Sequence, residues 1–332
     1  MFAITGCSNS PASFNSNNNL ALDKTLIVTA IDNATDSNIE NVDLTIQSEN
    51  GDITGETNLD GLYSVEGQFI EGESYNITAI HEDYDEKTIT FIVDDSDDIS
   101  VDCVLKDDFV ITFDDQNFED VIRDKIGKPT GDIFQSDVIN IKDISASSES
   151  IGSIGGIQYL ENLESLKIDN NQITDISPIS ALTNLNSLNF SMNDVDDITS
   201  LSGLTNLEEL YFSRNNVSDL SPISDLINLN KLYFDNNEVN NINSISDLVN
   251  LTTFHFGVNN VSDINSLSGL TNLEYLYINR NQIDDISVLV DNDVLGSGDY
   301  VDLENNNLDL TTGSDDMNDI ETLESRNVNV SY

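Results

Sequence analysis

The fold is decided by a 22-residue segment that recurs without insertion between residues 163 and 289. Its first copy opens Leu163-Glu-Ser-Leu166-Lys-Ile168-Asp-Asn-Asn171-Gln-Ile173, and its third opens Leu207-Glu-Glu-Leu210-Tyr-Phe212-Ser-Arg-Asn215-Asn-Val217. Apolar residues keep the same offsets in every copy. A fixed period of this length indicates stacked units that bury one continuous core. One asparagine returns in each copy, as Asn171, Asn193, Asn215, Asn237, Asn259 and Asn281.

The spacing L-x-x-L-x-L-x-x-N-x-L resembles the leucine-rich repeat. This resemblance implies a solenoid in which every coil contributes one short parallel strand to a common sheet. The return segments are too short for long helices, so the convex side is expected to be 3₁₀ or extended. The 22-residue period with short returns resembles the internalin-type bacterial subfamily. We expect eight parallel strands, at the usual spacing of about 4.8 Å.

The asparagine column is predicted to be structural. The side chain sits where each coil turns inward, and a buried amide is costly unless all its groups are hydrogen-bonded. We therefore expect each asparagine to bond turn amides that have no partner in the sheet. The aspartate that follows in most copies, as in Asp175, Asp219 and Asp285, is attributed to turn chemistry.

Both ends of the stack are expected to be capped, because an end coil otherwise exposes the core. Residues 107–140 form the predicted N-terminal cap, in which Asp115 begins a helix and Gly127 ends it. This piece resembles the helical cap of internalin-like proteins. Residues 141–309 carry the repeats, and the first coil is degenerate because Glu149 replaces the asparagine. Residues 310–332 form the second cap, with a helix that begins at Ser314 and a closing strand.

Residues 22–106 have a period of two and regular turns, which is typical of a small all-β sandwich. Asn58-Leu-Asp60-Gly61-Leu-Tyr63 and Gly72-Glu-Ser-Tyr75-Asn-Ile77 resemble motifs of the carboxypeptidase-regulatory-like, transthyretin-like sandwich. The resemblance implies a spacer or adhesion module without catalytic residues, in which Tyr63 and Tyr75 belong to the core. Cys103 is expected to be a buried, inert thiol on a strand. The predicted fold class is therefore mixed: a small all-β sandwich followed by a capped leucine-rich repeat solenoid.

Residues 1–21 are interpreted as a truncated lipoprotein signal and a tether. Ile4-Thr-Gly-Cys7 resembles a bacterial lipobox, which implies lipidation of Cys7, and residues 8–19 have the Ser/Asn composition of a flexible linker. A working signal peptide also needs a basic region and a full apolar region, and only six residues precede Cys7. The alternative is a chance resemblance.

The chain is extremely acidic, with 61 acidic and 12 basic residues and a formal net charge of −49. Such a charge repels nucleic acid and anionic lipid. It indicates either a very soluble outward-facing surface or adaptation to high salt, and the scarcity of basic residues favours salt adaptation. Acidic stretches at residues 32–36 and 94–98 lack the glycine of a calcium loop, so they are interpreted as turns and no metal site is predicted.

The predicted binding surface is the concave face of the sheet. Its middle strand position reads Lys167, Asn189, Tyr211, Tyr233, His255 and Tyr277 along the stack. Aromatic rings with arginine are typical of interface hot spots. The predicted partner-binding residues, all placed on exposed strand positions, are Lys167, Tyr211, Arg214, Tyr233, His255, Tyr277 and Arg280. The alternative is a parallel-sheet ladder in which some charges, such as Glu209 and Lys231, simply pair.

No catalytic constellation is present: the two histidines lie in different predicted domains, and no nucleophile, phosphate-loop or zinc motif occurs. The sequence predicts a non-enzymatic, cofactor-free, monomeric protein that binds a protein ligand outside the cytoplasm, lipid-anchored at the cell surface or secreted. Two alternatives stay open. One is carbohydrate capture by the tyrosines, and the other is a cell-envelope component that associates with copies of itself.

Overall fold

The computed structural model describes residues 21–332, apart from 34–36, 48–51, 71–72, 82–83, 94–97, 106–107 and 293. Two compact units divide the chain, Met1–Phe109 and Val110–Tyr332. Cys7 and the predicted tether lie outside the described residues. Among the described residues, no helix combines the length and apolar character needed to cross a membrane.

The first unit is a two-sheet all-β structure, as predicted. One sheet has the strand order β4-β1-β7, in which β1 is antiparallel to β4 and parallel to β7, and the other has the order β3-β2-β5-β6. Alternate side chains enter a shared core, so that Leu26, Val28 and Ala30 of β1 are fully buried. The strands are β1 (Ala21–Asp32), β2 (Asp43–Gln47), β3 (Ile53–Glu56), β4 (Leu62–Ile70), β5 (Ser74–His81), β6 (Tyr84–Ile92) and β7 (Asp98–Leu105).

Both tyrosines of the sandwich motifs pack inside this unit. Tyr75 is 6% exposed, and its ring stacks on Phe91 at a centroid distance of 5.6 Å. Tyr63 is half-buried and lies over Gly55 of the opposite sheet, where an added Cβ would come within 1.9 Å of the ring. Its hydroxyl donates to the Thr54 carbonyl at 3.3 Å. Tyr75 is thus a core residue, while Tyr63 bridges the two sheets at their margin.

Cys103 lies on β7 with no exposed surface. Burial, aided by the neighbouring Asp102 charge, raises the pKa of its thiol to about 11. The thiolate is therefore negligible at neutral pH, and the expected inert side chain is found.

The N-terminal cap of the second unit begins with β8 (Val110–Ile111), followed by α1 (Gln116–Ile126), β9 (Ile133–Phe134) and α2 (Gln135–Val138). Asp115 caps α1 by accepting the backbone N–H groups of Asn117 and Phe118, and Gly127 ends the helix with a left-handed φ of 69°. The second carboxylate oxygen of Asp115 accepts the Gly152 N–H at 2.8 Å. One side chain therefore begins the helix and ties it to the first coil.

Nine parallel strands form one sheet in chain order. The prediction of eight was wrong because the closing strand pairs in register with the last coil, Val301 opposite Val330, and so extends the sheet. The strands are β10 (Asp143–Ser145), β11 (Ser165–Lys167), β12 (Ser187–Asn189), β13 (Glu209–Tyr211), β14 (Lys231–Tyr233), β15 (Thr253–His255), β16 (Tyr275–Tyr277), β17 (Tyr300–Asp302) and β18 (Asn329–Ser331).

The return segments are short, as predicted. Six are 3₁₀ turns, and the seventh is a five-residue helix, α3 (Ser287–Asp291). The C-terminal cap packs α4 (Asp315–Ser325) against the last coils, and Ser314 caps this helix by accepting the Met317 N–H. The 3₁₀ turns are Ile157–Tyr159, Ser177–Ala181, Thr199–Leu201, Ser221–Ile223, Asn243–Ile245 and Asn265–Gly269.

The asparagine column joins each coil to the one before it. Asn237 donates to the Phe212 and Phe234 carbonyls at 3.1 and 3.0 Å and accepts the Val217 N–H at 3.0 Å. The same pattern recurs along the stack. It also explains Glu149: each asparagine bonds the coil before it, and the first coil has no coil before it. The Glu149 amide itself donates to Asn171 of the next coil. These are the contacts expected of a structural residue.

A second asparagine column was not predicted from the sequence. Each member precedes the first leucine of its repeat and donates to a loop carbonyl 23 residues earlier, at 2.8 to 2.9 Å. Its sequence signal is the same 22-residue period, one position before the leucines. The members are Asn162, Asn184, Asn206, Asn228, Asn250 and Asn272. The predicted turn role of the aspartates is confirmed, since Asp175, Asp219 and Asp285 each accept the N–H two residues later.

Candidate functional site

Side chains of the parallel strands alternate between the core and the opposite side, which we call the open sheet face. The central leucine or phenylalanine of each strand from β11 to β16 is buried, and its two neighbours point outward. Parallel pairing in register then places equivalent outward residues one above the other, as with Tyr211 and Tyr233. The repeat therefore converts single positions into continuous columns.

Aromatic rings stack along the middle column of the open sheet face. Ring centroids of Tyr211 and Tyr233 are 4.8 Å apart, those of Tyr233 and His255 are 4.0 Å apart, and those of His255 and Tyr277 are 3.9 Å apart. All four side chains are half-buried. The structure thus brings together the four rings that the sequence placed on this face.

The stack has a fifth member that the sequence interpretation missed. Tyr300 lies at the first outward position of β17, while Asp302 holds the middle position. The Tyr300 ring nevertheless reaches diagonally to Tyr277, with centroids 4.9 Å apart, and its hydroxyl bonds Ser331 Oγ at 3.2 Å. Diagonal neighbours are within reach of aromatic side chains. Tyr211, Tyr233, His255, Tyr277 and Tyr300 together form what we call the ring ladder.

Ring faces inside the ladder are covered by neighbouring rings. The interplanar angles of 26° at both contacts of His255 define stacked rings. Ring edges and the tyrosine hydroxyls are consequently what the middle of the ladder can offer to a partner. Such a surface combines an apolar body with polar tips, which is the amphipathic character that suits protein interfaces.

The four ladder rings from Tyr211 to Tyr277 are uncharged at neutral pH. Burial lowers the pKa of His255 to about 4, so its imidazole is neutral. Burial also raises the pKa of Tyr211, Tyr233 and Tyr277 above its ordinary value. A partner therefore meets a neutral strip within a strongly acidic protein.

An ion pair borders the N-terminal end of the ladder. Lys231 Nζ lies 2.7 Å from Glu209 Oε1, and the Tyr211 hydroxyl donates to Glu209 Oε2 at 3.2 Å. Hydrogen bonding to Lys231 is the main cause of the lowered pKa of Glu209, while burial opposes it. The pairing considered for Glu209 and Lys231 is therefore present. Lys167, two coils earlier, is exposed on β11.

Beside the ring ladder, Gly257 is a position without a side chain. The Asn279 Oδ1 atom covers this glycine so closely that an added Cβ would lie 2.3 Å from it. On the other side, Asp235 accepts the Gly257 N–H at 2.9 Å and the Ser213 hydroxyl at 3.2 Å. Burial raises the pKa of the Asp235 carboxyl. These contacts were not anticipated, because they depend on packing between four successive coils.

Arg214 and Arg280 do not lie on strands, contrary to the prediction. Each follows its strand by three residues and adopts a left-handed conformation, with φ of 58° and 57°. The prediction failed because the strands are only three residues long and the chain turns inward directly after them. Both side chains are exposed, and neither forms a salt bridge within the described part of the chain.

No group of three or more histidine, cysteine, aspartate or glutamate side chains in the described residues is arranged to hold a metal ion. Within the acidic stretch at residues 32–36, Asp32 is buried and accepts the Tyr84 hydroxyl at 2.9 Å. Its carboxylate thus has a structural partner inside the sandwich.

Comparison with known proteins agrees with this geometry. One-strand coils with a buried asparagine column define a leucine-rich repeat solenoid, and the family described as "Leucine Rich repeats (2 copies)" matches residues 161–203 and 249–290. Internalin C2 of Listeria monocytogenes is 30% identical, with a TM-score of 0.53, over 61% of this chain and 91% of internalin C2. The chain belongs to the internalin-like leucine-rich repeat proteins.

Two further solved structures are similar. Internalin F of Listeria monocytogenes is 26% identical over 66% of this chain and 91% of its own, with a TM-score of 0.38. A leucine-rich repeat protein of Leptospira interrogans is 18% identical over 60% of this chain and 55% of its own, with a TM-score of 0.51, which is a likeness of fold. No curated protein matches the chain.

Proposed function

We propose that this protein is a non-enzymatic, cell-surface or secreted binding protein that captures a protein ligand on its open sheet face. The observation that carries the proposal is the continuous ring ladder, which runs over five successive coils and is half-buried by its own stacking. Exposed arginines, Arg214 and Arg280, lie on the turns next to it. Membership of the internalin-like proteins supports a position outside the cytoplasm.

Stacking favours a protein ligand over a carbohydrate. A sugar ring binds an aromatic side chain by lying on its face, but the faces of Tyr233, His255 and Tyr277 are occupied by one another. Ring edges and hydroxyls, by contrast, suit the mixed apolar and polar surface of a protein. The ladder is also pre-ordered, so binding would freeze few additional rotamers.

Lys167 belongs to the proposed surface at its N-terminal end. It is exposed and stands two coils before the first ring. Long cationic side chains at the margin of an interface contribute mainly to association rate and specificity. We therefore assign Lys167 a steering role and place the main affinity on the rings. In the same proposal, lipidation of Cys7 would hold the binding unit at a membrane through the tether.

Site-specific photo-crosslinking tests the proposal. A photoreactive phenylalanine analogue replaces Tyr233 in the full chain, and the protein is incubated with intact cells and their secreted proteins. We expect discrete protein adducts, and we expect Tyr277→Ala in the same chain to remove them. Ile227, which is 53% exposed beyond the return segment of its coil, is the matched control position.

Adducts of equal yield from positions 233 and 227 would contradict the assignment of the open sheet face. Glycan-array binding that Tyr277→Ala abolishes, without protein adducts, would replace the proposal with carbohydrate capture. Adducts that contain only a second copy of this chain would favour self-association, which sedimentation at high salt would show independently.

A further inference from the structure

A second column, beside the ring ladder, carries side chains at a backbone conformation that disfavours them. It consists of the residue just before each structural asparagine, including Asn306 of the last coil, which accepts the Ile283 N–H, and its φ lies between 56° and 61°. We call this column the turn rim. Its members are Asn170, Met192, Arg214, Asn236, Val258, Arg280 and Asn305.

The left-handed conformation is imposed by the fold. From Asn170 to Arg280, the N–H of each rim residue still donates to the next coil, for example Arg214 to the Asp235 carbonyl at 2.8 Å and Val258 to the Asn279 carbonyl at 2.9 Å. The following asparagine must nevertheless enter the core. A left-handed residue satisfies both demands, so the backbone of the rim is fixed whatever its side chains are.

Because the fold fixes the backbone of the rim, the residue types found there show where a conformational cost is accepted. Left-handed backbone costs ordinary L-residues about 1–2 kcal/mol, and asparagine tolerates it better than most. The chain uses asparagine at Asn236, yet it places arginine at Arg214 and a β-branched residue at Val258. Val258 and Met192 are 39% and 44% exposed, so neither offsets the cost by entering the core.

The rim also has an order of its own. Reading along the stack, it repeats the triplet apolar, arginine, asparagine: Met192, Arg214, Asn236, then Val258, Arg280, Asn305. The repeat of three coils exceeds the period of the fold, which is one coil. The one-coil period of the fold does not by itself require this longer period.

We propose that the turn rim binds an extended polypeptide segment of the protein ligand through two carboxylates four residues apart, one on Arg214 and one on Arg280. This inference rests on the proposed function. It states which ligand groups would bind at the margin of the open sheet face. Arg214 and Arg280 are unpaired with any acid in the described part of a chain of net charge −49. Met192 and Val258, one coil before each arginine, would contact apolar side chains of the same segment.

Spacing selects the separation of four. Arg214 and Arg280 are three coils apart, which is about 14 Å at 4.8 Å per coil. Four residues of an extended chain span about 13 Å, and residues i and i+4 point to the same side. Separations of three or five residues direct the second carboxylate to the opposite side. Among the separations that direct both carboxylates to the same side, four residues match the distance between the two arginines best.

A peptide array tests the proposal with the full-length protein. Twelve-residue peptides of Ser, Thr and Val carry two glutamates at every separation from one to eight. We expect binding to be highest at a separation of four, roughly three- to tenfold above separations of three and five, as two exposed charge-assisted contacts would give. Arg214→Gln with Arg280→Gln should flatten this profile, whereas Lys87→Gln, which removes an exposed charge from the first unit, should leave it unchanged.

A flat profile for the unaltered protein, the absence of binding, or a maximum that survives the double arginine substitution would overturn the proposal. The proposed function can fail separately, because photo-crosslinking from position 233 does not depend on the arginines. Adducts at that position together with a flat array profile would keep protein capture and reject the rim assignment. Arg214→Lys with Arg280→Lys adds a geometric check, since lysine keeps the charge and loses the planar fork.

Discussion

Replacement of Asn237 by alanine provides a direct measure of what holds the stack together. The asparagine is 9% exposed and makes three hydrogen bonds to backbone groups of two coils. The two carbonyls that lose a hydrogen bond each keep a second one. The Phe212 carbonyl still accepts from Asn215, and the Phe234 carbonyl still accepts from Asn259. Among the described residues, by contrast, the Val217 N–H has only the Asn237 oxygen as acceptor. The cost therefore falls mainly on one buried N–H.

Leaving a buried donor unsatisfied costs about 1–3 kcal/mol, and the weakened carbonyls add to it, so we expect a loss of roughly 2–3 kcal/mol. For a unit of this size, each kcal/mol shifts Tm by about 2–4 °C. Differential scanning calorimetry should therefore show the repeat transition of Asn237→Ala lower by roughly 5–10 °C. The transition of the sandwich unit, if separate, should not move.

Two companion variants make the measurement decisive. Asn228→Ala removes one exposed bond, to the Thr205 carbonyl at 2.8 Å, and should lower stability by less than about 1 kcal/mol. Asn237→Asp keeps an acceptor for Val217 but turns a carboxylate oxygen toward two carbonyls, and its destabilisation should lessen at acidic pH. Equal losses for Asn237→Ala and Asn228→Ala, or a fully stable Asn237→Asp, would refute the account of the column.

Three further outcomes are expected. Val258→Asn should raise the Tm of the repeat unit by about 2–4 °C and Asn236→Val should lower it comparably, because the left-handed site costs valine about 1 kcal/mol more; unchanged values in both variants would remove the strain argument. His255 has a folded-state pKa of about 4, below its ordinary value of 6.5, so the unfolded chain takes up a proton first as the pH falls and stability is lost between these values. The Tm of the unaltered protein relative to His255→Phe should accordingly decline from pH 7 to pH 5, and a constant difference would contradict the burial of this ring. Finally, screening of a net charge of −49 should raise Tm with NaCl concentration, and a flat curve would argue against salt adaptation.

The repeat period accounts for most of what could be predicted. Once Leu166, Leu188 and Leu210 are known to occupy equivalent positions, stacking places their outward neighbours in columns, and the ring stack at Tyr211, Tyr233 and His255 follows. The caps could also be predicted from the sequence, since Asp115 and Ser314 begin helices through hydrogen bonds to residues close in the chain. Local rules and a fixed period both act along the chain, so a sequence displays them.

Contacts that break the period could not be predicted from the sequence. Tyr300 joins the ladder from a different position of its coil, because the ring is long enough to reach diagonally. The ninth strand, β18, belongs to the cap by sequence and to the sheet by pairing. Each of these depends on distances between residues that no repeat relates.

What the sequence by itself determined is the stack: which residues enter the core, where each coil turns, and which columns face outward. Its determinant is hydrophobic periodicity, which needs no knowledge of neighbouring coils. Only the tertiary structure decided what those columns present. It showed that the rings cover one another's faces, and that Arg214 and Arg280 leave the strands for left-handed turns. The physical reason is that stacking and backbone strain arise between coils, where each turn must bond the next coil and send its asparagine inward.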